Sequence, residues 1–348
     1  MKKIFALILA LTMVFTLCAC GEKAEAPVEA PATPKEEAQA NPVTLKVAIG
    51  ASVTAANGQS AKMWCDLVNE ANVGIDMQLF PDSQLGGEDE ILQQIVMGEP
   101  IITNCASDAL EPYAPQLALL NGPYLVENME DLKYIPQTEW FKAQEELLKE
   151  NNLIIVNAEE RFGQRNLLSI REVRTPADLA GLKIRSQPSQ VSMAMVNSMG
   201  ATAVPLDFSE IYEGLSNGVI DGEENPLATI YNAKHHEATA KVISLTGHVS
   251  TLDLFTMNLT VYNTLTDYQK QVLGECAHEA FTYYNEVLYP EATEAALAAF
   301  EAEGITVVHD VDVAAFKEAT KSVYDLIDPD GVYDDLMAEI EALKAADK

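Results

Sequence analysis

Basic residues are scarce in this chain: 22 Lys and Arg stand against 53 Asp and Glu, a formal net charge of −31 over 348 residues. A surface this acidic excludes nucleic acid and anionic lipid headgroups as general partners. Cysteine is sparse as well, five in all. Cys18 and Cys20 sit near the N-terminus, and Cys65, Cys105 and Cys276 are far apart, with no CxxC or Cys/His spacing for zinc. We read the last three as separate buried thiols. No Gly-x-Ser-x-Gly elbow, HExxH pair or metal-ligand cluster occurs, so neither catalytic chemistry nor a cofactor is indicated. Beyond the first twenty residues no apolar run reaches the ~20 residues that span a bilayer.

Those first residues have a pattern of their own. Lys2 and Lys3 precede an almost unbroken apolar stretch, Ile4 to Leu17, which ends in Leu17-Cys18-Ala19-Cys20. A basic start, a short apolar core and small residues mark an export signal over residues 1–19. The ending resembles a bacterial lipobox, which implies cleavage before Cys20 and acylation of that thiol. Residues 20–42, rich in Ala, Glu, Lys and Pro and free of aromatics, then read as a flexible leash. The expected location is the outer face of the cytoplasmic membrane, or the periplasm of a Gram-negative host, with the lipid as the membrane contact.

About 300 residues follow, enough for two domains. Strand-like runs at 44–50, 73–80, 153–158, 182–185, 242–246, 254–262 and 305–309 alternate with amphipathic stretches at 58–71, 88–97 and 191–199. That alternation predicts an α/β fold with helix-covered sheets. From Thr266 to about Glu303 one long helix is expected, kinked at Pro290, which has no backbone N–H to give. Its aromatics Phe281, Tyr283 and Tyr284 read as packing. The neighbours His235 and His236 would point about 100° apart on a helix, cannot chelate together, and read as a solvated face. Glu223 and Glu224 are weak evidence of an acid/base pair in a chain so rich in glutamate. His248 fits either the cleft or structural packing.

The central segment is the most informative. Thr175-Pro176-Ala177-Asp178 is a helix start, Gly181 a stop, and LKIR (182–185) enters a strand. Asp207 with Glu210 begins a second helix, which Asn217-Gly218 ends, and VIDGEENP (219–226) runs from strand to loop. Arg185, Phe208 and Asn225 therefore stand at element ends, where open α/β folds bind ligands.

The runs RFGQRNLLSIREVRTPADLAGLKIRSQPS (161–189), GATAVPLDFSEIYEGLSNGVIDGEENP (200–226) and, more weakly, SQLGGEDEILQQIVMGEP (83–100) resemble the solute receptors of tripartite ATP-independent periplasmic (TRAP) transporters, the DctP family. The resemblance covers nearly all of the chain after the leash. It implies a two-lobed periplasmic-binding-protein fold with the long kinked helix spanning both lobes. Lobe I would hold 43–162 and 251–290, and lobe II 163–250 and 291–348. The implied activity is binding of a small organic acid, a C4-dicarboxylate or sugar acid, and its delivery to the small and large TRAP membrane subunits. Arg185 would fix the ligand carboxylate, with Arg165 assisting, Asn225 hydrogen-bonding it and Phe208 packing on the ligand. Asn57 and Gln59, in the loop after the first strand, are candidate contacts from lobe I. TNCASDAL (103–110) lacks the ligand contacts of sialic-acid receptors, which disfavours that acid. A receptor for an ATP-driven importer would share the architecture but not the GLKIR and ENP motifs; an exported hydrolase is the remaining alternative. The chain crossings near Arg165 and Leu252 would form the hinge.

Overall fold

The computed structural model describes residues 32–347, so the export signal and Cys20 lie outside the described residues. The leash ends earlier than expected. Pro34–Gln39 is helical and Ala38 is fully buried, its carbonyl accepting from Gln269 Nε2 at 3.2 Å. Ala38, packed in the core with Leu45 and Val73, anchors this otherwise polar segment.

Two sheets organise the chain. The first has the order β2-β1-β3-β10-β4, formed by β1 (Val43–Ala48), β2 (Ile75–Phe80), β3 (Ile101–Cys105), β4 (Leu153–Asn157) and β10 (Leu254–Asn258). The three leading strands are parallel and β10 runs against its two neighbours. The second has the order β11-β9-β5-β8-β6-β7, from β5 (Gly163–Ser169), β6 (Lys183–Ser186), β7 (Thr202–Pro205), β8 (Gly222–Pro226), β9 (Val242–Thr251) and β11 (Thr306–Val308). The strand expected at 254–262 stops at Asn258, whose side chain caps a helix, Leu259–Thr264, by accepting from Val261 N–H at 3.1 Å.

Two short crossings join the sheets, from β4 to β5 and from β9 to β10, and the long helix makes a third passage, from β10 to β11. The two crossings touch, since Asp253 N–H donates to the Glu160 carbonyl at 3.0 Å. Gly163 begins β5 at φ +136°, and a Cβ there would lie 2.5 Å from the Tyr289 ring, so only glycine fits.

The long helix is present as 36 continuous residues, but its irregularity differs from the one expected. Asp267–Tyr283 and Tyr289–Ala302 are α-helical, and Tyr284–Leu288 between them is a π turn. The irregularity therefore lies on the N-terminal side of Pro290 and not at the proline itself. Thr266 and Gln269 start the helix as a capping box. Phe281 stacks on Phe255 at 4.6 Å and meets Trp64 edge-on at 5.5 Å, in the core behind the first sheet. Phe300 lies in the core behind the second sheet with Ile211, Ile230 and Ile243. One helix therefore packs against both halves.

The C-terminal helix, Tyr333–Ala346, was grouped above with lobe II. It lies against Met129–Gln137 of the first half, with Leu336 and Ile340 buried and Lys344 Nζ 2.8 Å from Asp131. Its apolar stripe is short, so the sequence alone does not show which half it covers. Cys65 and Cys105 are buried and Cys276 half-buried, and all three are free thiols. Among the described residues no helix is long and apolar enough to cross a membrane.

Candidate functional site

A cavity of about 740 Å³ lies between the sheets, lined by Arg165, Arg185, Phe208 and Asn225 from the second half and by Asn57, Glu88, Asp108 and Asp253 among others from the first half and its crossing. Its size falls in the range of small-molecule sites. β6 ends under it because Lys183–Ser186 pairs in parallel with β7. This carries Arg185 to the strand end, where it is 3% exposed and its Nε donates to the Leu206 carbonyl at 2.8 Å. No carboxylate among the described residues pairs with it. Burial and the neighbouring Arg165 both disfavour its charge and hold its pKa below the ordinary arginine value.

Arg165 is placed differently. It sits on β5 opposite Pro226 of β8, and its guanidinium grips Glu224, with Nη2 at 2.8 Å from Oε1 and 2.7 Å from the backbone carbonyl. Burial alone would raise Glu224, but Arg165 and His248 outweigh it and bring that carboxyl down to about 2. Arg165 lines the cavity already neutralised. Asn225 is buried and donates from Nδ2 to Glu223, whose other oxygen lies 2.7 Å from His235 Nδ1. Phe208 leans on His235 with ring centroids 5.5 Å apart. A Cβ at Gly50, on the opposite wall, would stand only 3.8 Å from the Phe208 ring.

Several sequence readings change here. Gln59 does not reach this cavity; it is exposed, and its side chain turns back to the Thr54 carbonyl at 3.0 Å. His235 and His236 form no solvated face. They are 2% and 3% exposed, in a short 3-10 turn, and His236 stacks on Tyr231 at 4.8 Å. His248 is packed, held by Thr246 Oγ1 at 2.7 Å and Glu224 Oε2 at 3.2 Å. Glu223 is committed to Asn225 and His235 and Glu224 to Arg165 and His248, and the two form no acid/base pair.

The acids of the opposite wall went unread. Glu88 begins the helix Glu88–Val96 and accepts from Ala106 N–H at 2.6 Å; enclosure, with Asp108 nearby, pushes its carboxyl up to about 8. Asp253 is pushed up to about 7 by burial and faces Glu160, which burial and Asp253 also raise. The segments 83–100 and 103–110 contain Glu88 and Asp108, but nothing in a chain with 53 acids marks which ones turn inward.

Two sheets, two touching crossings and a cleft between them define a periplasmic-receptor type of ligand-binding protein. Residues 48–328 match the model of the DctP family, described as bacterial extracellular solute-binding protein, family 7, and the chain belongs to that family. It is similar to the sialic acid-binding periplasmic protein SiaP of Vibrio cholerae, 27% identical over 81% of this chain and 87% of that one. A TRAP periplasmic solute-binding protein of Actinobacillus succinogenes, solved with bound L-galactonate, is 32% identical with a TM-score of 0.82, over 86% of this chain and all of that one. Another, from Ochrobacterium anthropi with bound L-fuconate, is 30% identical with a TM-score of 0.81, over 86% and 99%. The chain is thus a TRAP solute receptor, and not an enzyme.

Proposed function

We propose that the cleft captures a small organic acid by pairing its carboxylate with Arg185. The observation that carries this is a guanidinium 3% exposed, facing a cavity, with no carboxylate partner among the described residues. A buried unpaired cation is costly and is retained where an incoming anion completes it. Arg presents a planar fork that takes a carboxylate bidentately. Arg165 adds positive potential from beside it, Asn225 offers an amide, Phe208 covers the ligand's carbon face, and Asn57 closes from the other half. The named ligands of the relatives, L-galactonate and L-fuconate, are sugar acids, which supports this chemistry. Closure would turn on the crossings at 158–162 and 252–253, with each half supplying part of the ligand's contacts.

In this reading the lipid on Cys20 tethers the receptor at the outer face of the cytoplasmic membrane and the leash that follows gives it reach, raising its concentration near the TRAP membrane subunits. The test is a thermal-shift screen of organic acids on the wild type and on Arg185→Ala. Ligand at 100 times its Kd adds about 2.7 kcal/mol of stability. At least one acid should stabilise the wild type and leave the variant unmoved; stabilisation only by uncharged sugars or peptides would remove Arg185 from the role.

A further inference from the structure

We infer that the wall facing Arg185 is a second subsite, one that takes hydrogen-bond donors on the ligand and rejects a second carboxylate. The ligand class is therefore a monocarboxylate carrying hydroxyl or ammonium groups, and C4-dicarboxylates and other diacids are excluded. This rests on the Arg185 reading and deepens it.

The cavity is electrically lopsided. Its two cations, Arg165 and Arg185, both come from the second sheet, and Arg165 is already spent on Glu224. Against them stand Glu88, Asp89, Asp108, Glu111 and Asp253 from the first half and its crossing, with Asp207 alone on the arginine side. None of these six makes an ion pair with a basic residue among the described residues. A ligand anchored by one carboxylate at Arg185 points its far end at this wall.

Asp108 supplies the independent observation. It is 4% exposed, it lines the cavity, and its Oδ2 is saturated by Asn121 at 3.0 Å, Ser192 at 3.1 Å and Ser189. Its Oδ1 has no hydrogen-bond partner. A buried acceptor without a donor is a standing cost that a ligand O–H or N–H would relieve. A ligand carboxylate there would meet the unpartnered Asp108 Oδ1 with no lysine or arginine on that wall to offset its desolvation, and like charges in such contact are strongly disfavoured. Discrimination would then come from repulsion built into the pocket as much as from attraction.

Isothermal titration of the full chain at pH 7.5 tests this, using aldonates of four to six carbons, each paired with the aldarate that differs only in the far terminus, and 6-aminohexanoate. L-galactonate against galactarate is one such pair. The expected result is that the aldonates that bind do so at least about 100-fold more tightly than their aldarates, the scale that several kcal/mol of like-charge repulsion gives. Asp108→Asn should narrow that ratio at least about tenfold by removing the repulsion. Tighter binding of 6-aminohexanoate than of any aldonate supports the subsite and identifies ammonium as its donor. An aldarate binding within about threefold of its aldonate overturns the subsite and leaves Arg185 in place. Binding of no carboxylate overturns both readings. The wild-type panel decides even if the variant does not fold.

Discussion

Arg165 and Glu224 close a two-pronged ion pair across the β5–β8 ladder, 5% and 1% exposed at their side chains, while Arg185 beside them has no carboxylate. The two arginines should therefore fail differently. Arg165→Ala leaves a buried Glu224 unpaired and should cost about 3–5 kcal/mol in urea unfolding of the ligand-free protein. Arg185→Ala removes an unpaired buried charge and one hydrogen bond to Leu206, so its stability should change by about 1 kcal/mol or less. Equal losses in the two variants would mean that Arg185 has a structural partner after all.

The buried acids give the ligand-free protein a falling stability profile above pH 5. Asp253 has a folded pKa of about 7 and Glu88 about 8, both above their unfolded values. The folded state therefore holds protons that the unfolded state has lost. Their contribution is complete below about pH 4 and is lost as pH rises through 7 and 8. Glu224, down at about 2, works the other way: its contribution is present above about pH 4.3 and is lost as pH falls towards 2. The melting temperature should thus peak near pH 5 and decline to pH 8, and Asp253→Asn should flatten that decline. A wild-type profile level from pH 5 to 8 would remove the buried-proton account.

Much of the second half was legible because its chemistry is local. Thr175 with Asp178 and Asp207 with Glu210 form capping boxes where the sequence places helix starts, and the strand ends that follow put Arg185 and Phe208 in one cavity. β3 was missed, as were β5 and β7 of the second sheet; Ile101–Cys105 is a five-residue run with no alternation, paired on both sides and buried except at Asn104. The burial of His235 depends on Glu223, twelve residues away, and that of His236 on Tyr231 and Phe300. The acid wall was invisible for the same reason: inward and outward acids have identical local patterns, and only the tertiary fold separates them.

Gly163 should be the least replaceable glycine at the crossings. Gly163→Ala meets both a φ of +136° and a contact 2.5 Å from Tyr289, on the long helix. Overpacking of this kind, added to backbone strain, should cost about 2 kcal/mol or more. Tyr289→Ala should recover part of that loss in the double variant, because it removes the clash but not the strain. Chemical denaturation of the four proteins as a double-mutant cycle gives the coupling.

The π turn at Tyr284–Leu288 has two candidate causes, and they are separable. Pro290 withholds a donor from the preceding turn, which loosens the helix whatever surrounds it. The turn is also pinned to the first crossing: Tyr284 Oη donates to the Phe162 carbonyl at 3.0 Å, Asn285 Nδ2 donates to the Glu159 carbonyl at 2.8 Å, and Asn285 Oδ1 accepts from Arg161 N–H at 2.9 Å. Three tertiary bonds on two adjacent residues outweigh one missing helical bond. Asn285→Ala should therefore destabilise by about 1–3 kcal/mol, since it orphans backbone groups of the crossing. Pro290→Ala should change stability by about 1 kcal/mol at most and leave amide exchange at 284–288 unchanged. If Pro290→Ala instead slows exchange there and stabilises the protein, the proline rather than the crossing sets the turn.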